Sequence, residues 1–388
     1  MNIKSLLLGS AAALLAVSGA RAADAVDVIA EPEPMEYVRV CDTYGTGYFY
    51  IPGTETCLRI GGYVRYDIGV GDGAYGGKYT ADVNEPGEYN DTYHKKARLS
   101  LRTWTGTETE LGTLSTYTET RFNYDDGAPR DWIADGDGGW FLTPPGGGGT
   151  TTTLNFAWIQ LGGFRVGKDE SAFLTFSDYA GGVIADDIIP YGTFDTNLIS
   201  YTFDAGNGFS AIISLEEGET GTDYEIDSYV PHIVAGVKYA GGWGGISVTG
   251  AYDSVYEEWA IKARADVNVN EQLSLWVMAM YGTDDDWTTN YFKRWDGNWA
   301  VFAGGAYKFS DRLTFNIQGS YAEGRDFDDG VQGDGAQFAI AANVDYEIVP
   351  DFHIIPELTY SDLDYHEPFA DRPGTDGFGG WLRFQRDF

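Results

Sequence analysis

Eight basic residues, Arg59, Arg65, Arg98, Arg102, Arg121, Arg165, Lys262 and Arg264, lie in segments where apolar side chains recur at every second position. Each takes the polar phase of its own segment. In an extended strand that phase turns the charges to one face and the apolar residues to the other. A Lys or Arg facing lipid at the bilayer midplane costs about 2–4 kcal/mol, so a wet interior is the expected destination of all eight. Such groups do electrostatic work: charged side chains lining water bias which ions enter and orient dipolar solutes. Covalent chemistry is poorly supplied. No Gly-x-Ser-x-Gly or His-Glu-x-x-His stretch occurs, and His94, His232, His353 and His366 are dispersed, without metal-ligand spacing. No enzyme activity, catalytic residue, metal or cofactor is therefore expected.

The elements that hold these residues begin after a removable leader. Lys4 gives a charged start, Leu6 to Val17 is apolar or small, and Ala20-Arg21-Ala22 is a small-x-small site, the pattern of a secretory signal peptide over residues 1–22. Later in the chain there is no uncharged apolar run of comparable length, so a protein that stays in a membrane does so as a closed barrel. The 52 Gly, 27 Tyr, 21 Phe and 11 Trp suit many short strands. Without the leader, 23 basic face 59 acidic residues, a net −36 that argues against a nucleic-acid partner. Residues 23–57 read as a periplasmic N-terminal segment. Cys41 and Cys57 meet an oxidising compartment and are expected to form a disulfide, worth about 3 kcal/mol by chain entropy.

From residue 58 to 388 the period of two dominates. Leu58, Ile60, Val64, Tyr66, Ile68 and Val70 alternate with Arg59, Tyr63, Arg65 and Asp67. Seven later segments end their apolar phase on a tyrosine: Tyr239, Tyr252, Tyr281, Tyr307, Tyr321, Tyr346 and Tyr360. With antiparallel neighbours these rings fall alternately at the two rims, as aromatic girdles do. Short connections, such as Ala240 to Gly244 and Glu347 to Asp351, alternate with long ones, such as Asp125 to Thr150 and Ser361 to Gly377. The pattern predicts an all-β fold, a 16-stranded antiparallel transmembrane β-barrel with both termini periplasmic and an aqueous channel inside. The weakest strand signals lie at 154–168 and 197–204. The alternating ending Leu382 to Phe388 resembles the signal read by barrel assembly machinery, with Phe388 as its terminal aromatic and Arg386 in an apolar phase position.

The residues from Val40 to Arg65 include Cys41-Asp42-Thr43-Tyr44-Gly45 and Gly53-Thr54-Glu55-Thr56-Cys57-Leu58-Arg59-Ile60-Gly61-Gly62. With Ala23-Asp24-Ala25, with Ile159-Gln160-Leu161-Gly162-Gly163-Phe164-Arg165-Val166-Gly167-Lys168 and with the ending Arg383 to Phe388, they resemble the general porins of alphaproteobacteria such as Brucella and Rhizobium. The resemblance implies a homotrimer of outer-membrane barrels, each with its own pore for passive diffusion of small hydrophilic solutes. It also implies a third outer loop folded into the barrel, which here would be Asp169 to Asn197.

That loop carries Asp178, Asp186 and Asp187, so the expected pore constriction sets these carboxylates against the inward arginines in a transverse field; in the alternative the arginines pair with lumen acids such as Asp67 and Glu119 and the loop acids are solvated. The net −36 favours cations while the arginines favour anions, and the balance leans weakly to cations. Asp125-Asp126, Asp284-Asp285-Asp286 and Asp328-Asp329 read as solvated outer-loop surface facing lipopolysaccharide. A substrate-selective channel for sugars or anions is the alternative, since sugar-selective pores carry an aromatic slide. Trp104, Trp158 and Trp276 have lumen phase, though nothing in their spacing makes them neighbours.

Overall fold

Strands whose outer face is greasy and whose inner face is charged must close on themselves, because an open edge in lipid leaves backbone groups unpaired. In the computed structural model, which describes residues 39–71, 76–85, 88–127, 132–134, 140–142, 148–284, 290–324, 336–363 and 376–388, they do. The wall consists of β1 (Cys57–Gly71), β2 (His94–Thr109), β3 (Gly112–Asp125), β4 (Gly149–Leu161), β5 (Phe164–Glu170), β6 (Asp195–Asp204), β7 (Phe209–Glu216) and β8 (His232–Gly241). It continues through β9 (Gly244–Tyr252), β10 (Trp259–Asn268), β11 (Leu273–Gly282), β12 (Trp299–Ser310), β13 (Leu313–Ala322), β14 (Gln337–Val349), β15 (Phe352–Leu363) and β16 (Asp376–Asp387). Each pairs antiparallel with its sequence neighbours. β16 then pairs with β1, from Tyr63↔Asp387 to Gly71↔Gly379, and closes the ring.

The stretch 154–168 resolves into two strands joined by Gly162-Gly163. Gly162 takes φ +58, a left-handed conformation that glycine adopts without a Cβ penalty. All connections on one rim are short, like this one. Those on the other run longer and include two small ribbons, Lys78–Ala81 with Tyr89–Thr92 and Trp132–Ala134 with Trp140–Leu142.

Burial follows the predicted phase. On β11, Leu275, Val277, Ala279 and Tyr281 are exposed on the outer face, while Met278 and Met280 are buried inside. Six of the seven rim tyrosines are exposed, and Tyr360 is half-buried. Arg386, the misfit of the last strand, points outward and forms an ion pair at 3.2 Å with Asp351 of the neighbouring short turn. The chain end is locked by two bonds, Phe388 N–H to Gly62 C=O at 3.0 Å and Gly62 N–H to Phe388 C=O at 2.9 Å. Cys41 and Cys57 are joined in a disulfide that ties the preceding segment to the start of β1. The predicted leader and the Ala23-Asp24-Ala25 match lie outside the described residues.

The main apolar cluster is off-centre. It gathers Phe173, Leu174, Ile189 and Tyr191 from the connection between β5 and β6 against inward Val234, Met278, Met280 and Phe302. One sector of the lumen is thereby filled, and the sector lined by β1–β5 carries charges and rings instead.

Candidate solute pathway

The connection 171–194 is built to lie against the inner wall. Ser171 caps a single helical turn, α1 (Ala172–Thr175), and donates its hydroxyl to Glu216 of β7 at 2.7 Å; Ala172 N–H donates to the same carboxylate at 2.9 Å. Further along, Lys238 of β8 binds Asp178, Ser177 meets Thr249 of β9, and Arg264 of β10 donates to the Tyr179 carbonyl, each at 2.5 Å. Gln318 of β13 donates to the Asp186 carbonyl at 2.7 Å and Asn343 of β14 to the Gly182 carbonyl at 3.0 Å. Glu357 of β15, 2% exposed, accepts the backbone N–H groups of Ile184 and Ala185. Gly181 and Gly182 permit the close approach, since a Cβ on either would meet Gln318 or Asn316 at 2.7–2.8 Å.

Of the three predicted loop carboxylates, Asp178 is exposed and paired with Lys238, at a φ of +64 that aspartate tolerates better than most residues. Asp186 accepts the Tyr191 hydroxyl at 2.7 Å. Burial, then the neighbouring Asp187 carboxylate, push its pKa up to about 7.

Six of the eight predicted cations share the wall β1–β5. Arg102 and Arg121 both bind Glu119, at 2.9 and 2.6 Å, and Arg165 binds Asp169 at 2.7 Å. Arg65 bonds Gln385 at 2.8 Å, Arg98 bonds Asn123 at 2.6 Å and Arg59 lies over the Trp104 ring at 4.6 Å. Among the described residues these last three form no ion pair with a carboxylate. The other two cations sit elsewhere. Lys262 points inward as its phase requires, but it is fully buried beneath the loop, with its ammonium 4.3 Å from the Phe173 ring centre. Arg264 is 7% exposed, held bidentately by Asp266 and stacked on Trp276. Neither reaches the open sector.

The lumen acids Asp67 and Glu119 do pair with arginines, as the alternative reading has it: Glu119 is the shared anchor of Arg102 and Arg121, and Asp67 is chelated with bonds of 2.7 and 3.0 Å by Arg383 of β16, a residue the sequence reading did not single out. Strand phase put both on the inner face; their partners depend on cross-strand register. The acidic pair Asp125-Asp126 approaches His94, and Lys78, Lys95 and Lys96 already neutralise it through ion pairs of 3.0–3.4 Å. Asp284 pairs with Lys293, while residues 285–286 and 328–329 lie outside the described residues.

A closed 16-stranded barrel with an apolar exterior and a charged interior is an outer-membrane channel protein. Residues 24–377 match the family model described as the porin subfamily, and the chain belongs to that family. It is 49% identical over 397 residues to porin Omp2b of Brucella neotomae and 48% identical over 408 residues to porin Omp2b of Brucella suis, with all of each chain covered. Salmonella typhi OmpF shares the fold at a TM-score of 0.56 and 12% identity, over 86% of this chain and 98% of that one. Pseudomonas putida OprB does so at 0.55 and 12%, over 85% and 94%. The protein is an outer-membrane porin whose water-filled channel passes small hydrophilic solutes by passive diffusion.

Proposed function

We propose that the channel is a general diffusion pore narrowed between the loop carboxylates Asp186 and Asp187 and the arginines of β1–β5. One observation carries the reading: the loop is fastened to β7–β15, so the open sector is bounded on its far side by arginines of which three form no ion pair among the described residues. Cations and anions then follow opposite walls, and selectivity depends on the loop's charge. Asp186 is neutral below and anionic above about pH 7. Raising the pH from 6 to 8 is expected to increase the cation-to-anion permeability ratio in planar bilayers, by less than twofold in the salt-screened lumen. Asp186→Asn should remove that step, and a pH response unchanged in the variant would refute the assignment.

The same reading places the short-turn rim, with both chain ends, in the periplasm and the long loops against lipopolysaccharide. It makes the Phe388 ending the assembly signal, residues 1–22 the cleaved leader and residues 23–57 the segment preceding the barrel. It excludes catalysis, so lipid and peptide substrates should survive incubation with the purified protein.

A homotrimer is supported by the outer face of β2 and β3. Thr103, Thr105, Thr116, Thr118 and Thr120 take outward positions there, and Thr103 with Thr118 and Thr105 with Thr116 are hydrogen-bonded at 2.6 Å. Lipid has no use for such a small, polar face, whereas a second copy can pack on it. Thr118→Trp would be tolerated against lipid and would clash in a subunit interface. Light scattering in detergent should show trimers for the parent and predominantly monomers for the variant; a trimeric variant sinks the interface.

A further inference from the structure

Tyr63 stands on the inner face of β1 between Gly61 and Arg65, in the charged sector of the lumen and apart from the apolar cluster that seats the loop. It is nevertheless 3% exposed. Guanidinium groups cover it. Arg65 lies over the ring at 4.5 Å, Arg102 lies over it at 5.1 Å, and Arg98 approaches its hydroxyl. Register explains the crowding: Tyr63 faces Ser100 of β2, which has Arg98 and Arg102 two residues to either side, and Ser100 in turn faces Arg121 of β3. A small residue opposite a large ring leaves a slot, and the phenol fills it with four arginines around it.

Like charges gathered this closely separate or turn to acids unless something holds them. Glu119 holds Arg102 and Arg121. Arg65 has no such anchor: Asp67, its neighbour on the inner face of β1, is chelated by Arg383, and Arg65 itself donates to the neutral Gln385 side chain at 2.8 Å. An acid nevertheless lies close, because Asp387 of β16 sits directly opposite Tyr63 and accepts the same Gln385 amide at 3.0 Å. Diagonal cross-strand neighbours are within reach of a long side chain. The π face of Tyr63 is what attracts the Arg65 guanidinium away from that carboxylate.

We propose that Tyr63 is the positioning residue for the ion preference of the pore: its ring keeps Arg65 extended along the inner wall, with its charge uncancelled. It acts through the arginine and needs no contact with a solute. Without the ring, Arg65 turns to Asp387 and forms an ion pair, and the wall loses one of its uncompensated positive charges. The inference rests on the reading that the arginines of β1–β5 border the conducting path, and it adds the residue on which one of those charges depends.

The test is the reversal potential of the purified full-length porin in planar bilayers under a potassium chloride gradient. Tyr63→Leu fills the slot without a π face and should raise the cation-to-anion permeability ratio about twofold. Tyr63→Phe keeps the face and should recover most of that shift. Added to Arg65→Gln with Arg98→Gln, Tyr63→Leu should change nothing further, since the charge it positions is already gone. If the leucine variant fails to insert, Tyr63→Met supplies apolar bulk without a ring and should give the same twofold rise, about as large as for leucine. A leucine or methionine variant matching the parent, a phenylalanine variant shifted as far as leucine, or a shift that persists without Arg65 and Arg98 overturns the positioning role. An unchanged potential in the arginine double variant itself overturns instead the reading that these arginines border the path.

Discussion

Glu357→Ala should turn a quiet channel into a noisy and wider one. The Glu357 carboxylate is buried in the wall and accepts the Ile184 and Ala185 N–H groups together with the Asn343 side-chain amide at 2.9 Å. Hydrogen bonds to a charged acceptor contribute roughly 1.5–3 kcal/mol each, and a buried N–H left without a partner costs about 1–3 kcal/mol. Losing the acceptor should therefore shift the docking equilibrium of the loop by roughly 3 kcal/mol, on the order of a hundredfold. The first part of the loop stays fastened through Glu216, Lys238, Thr249 and Arg264 and the apolar seat around Phe173, while Gln318 and Asn343 alone hold the part around residues 182–186. Single-channel recordings should show higher mean conductance, more open-state noise and closure at lower voltage. Glu357→Gln keeps the shape and one acceptor, and should fall between parent and alanine. Traces indistinguishable from the parent in the alanine variant would show that the loop is held by something else.

The second large effect is expected from Arg65→Gln combined with Arg98→Gln. These arginines face each other directly across β1 and β2, where like charges are destabilising, and each is bonded to a neutral amide oxygen rather than a carboxylate. Their charge is thus left available to the lumen. At about 5 Å in water each is worth roughly 0.8 kcal/mol to a passing ion, and salt screening reduces this. The double variant should raise the cation-to-anion permeability ratio roughly three- to fivefold in reversal-potential measurements under a salt gradient. It should also unfold at equal or higher denaturant concentration, because a repulsion has been removed. An unchanged reversal potential would place these arginines outside the conducting path.

What the loop rests on separates the legible from the hidden. The two-residue period told which residues of each strand face in, and that held for Arg59, Arg65, Arg98, Arg102, Arg121 and Arg165 and also for Lys262 and Arg264. Phase, however, is a property of a single strand and says nothing about what stands in front of a side chain. Lys262 is inward and yet sealed under Phe173, because the apolar sector made by Met278, Met280 and Phe302 draws the loop to that side. The loop was readable to within two residues at each end, Asp169 to Asn197 being expected where β5 runs on to Glu170 and β6 begins at Asp195; its partners Glu216, Gln318, Asn343 and Glu357 were not readable.

Trp104 and Trp158 show the same division. Their inward direction was written in the chain, but their contact through Tyr117 depends on the register of three strands, including a bulge at Glu119/Thr120 that no local pattern announces. Alternation and the cost of charge in lipid are enough to specify the barrel, its strand phases, its greasy outer belt and the sign of its inward charges. Which charges meet water, which wall the loop occupies and which rings become neighbours follow instead from pairing between strands far apart in the chain.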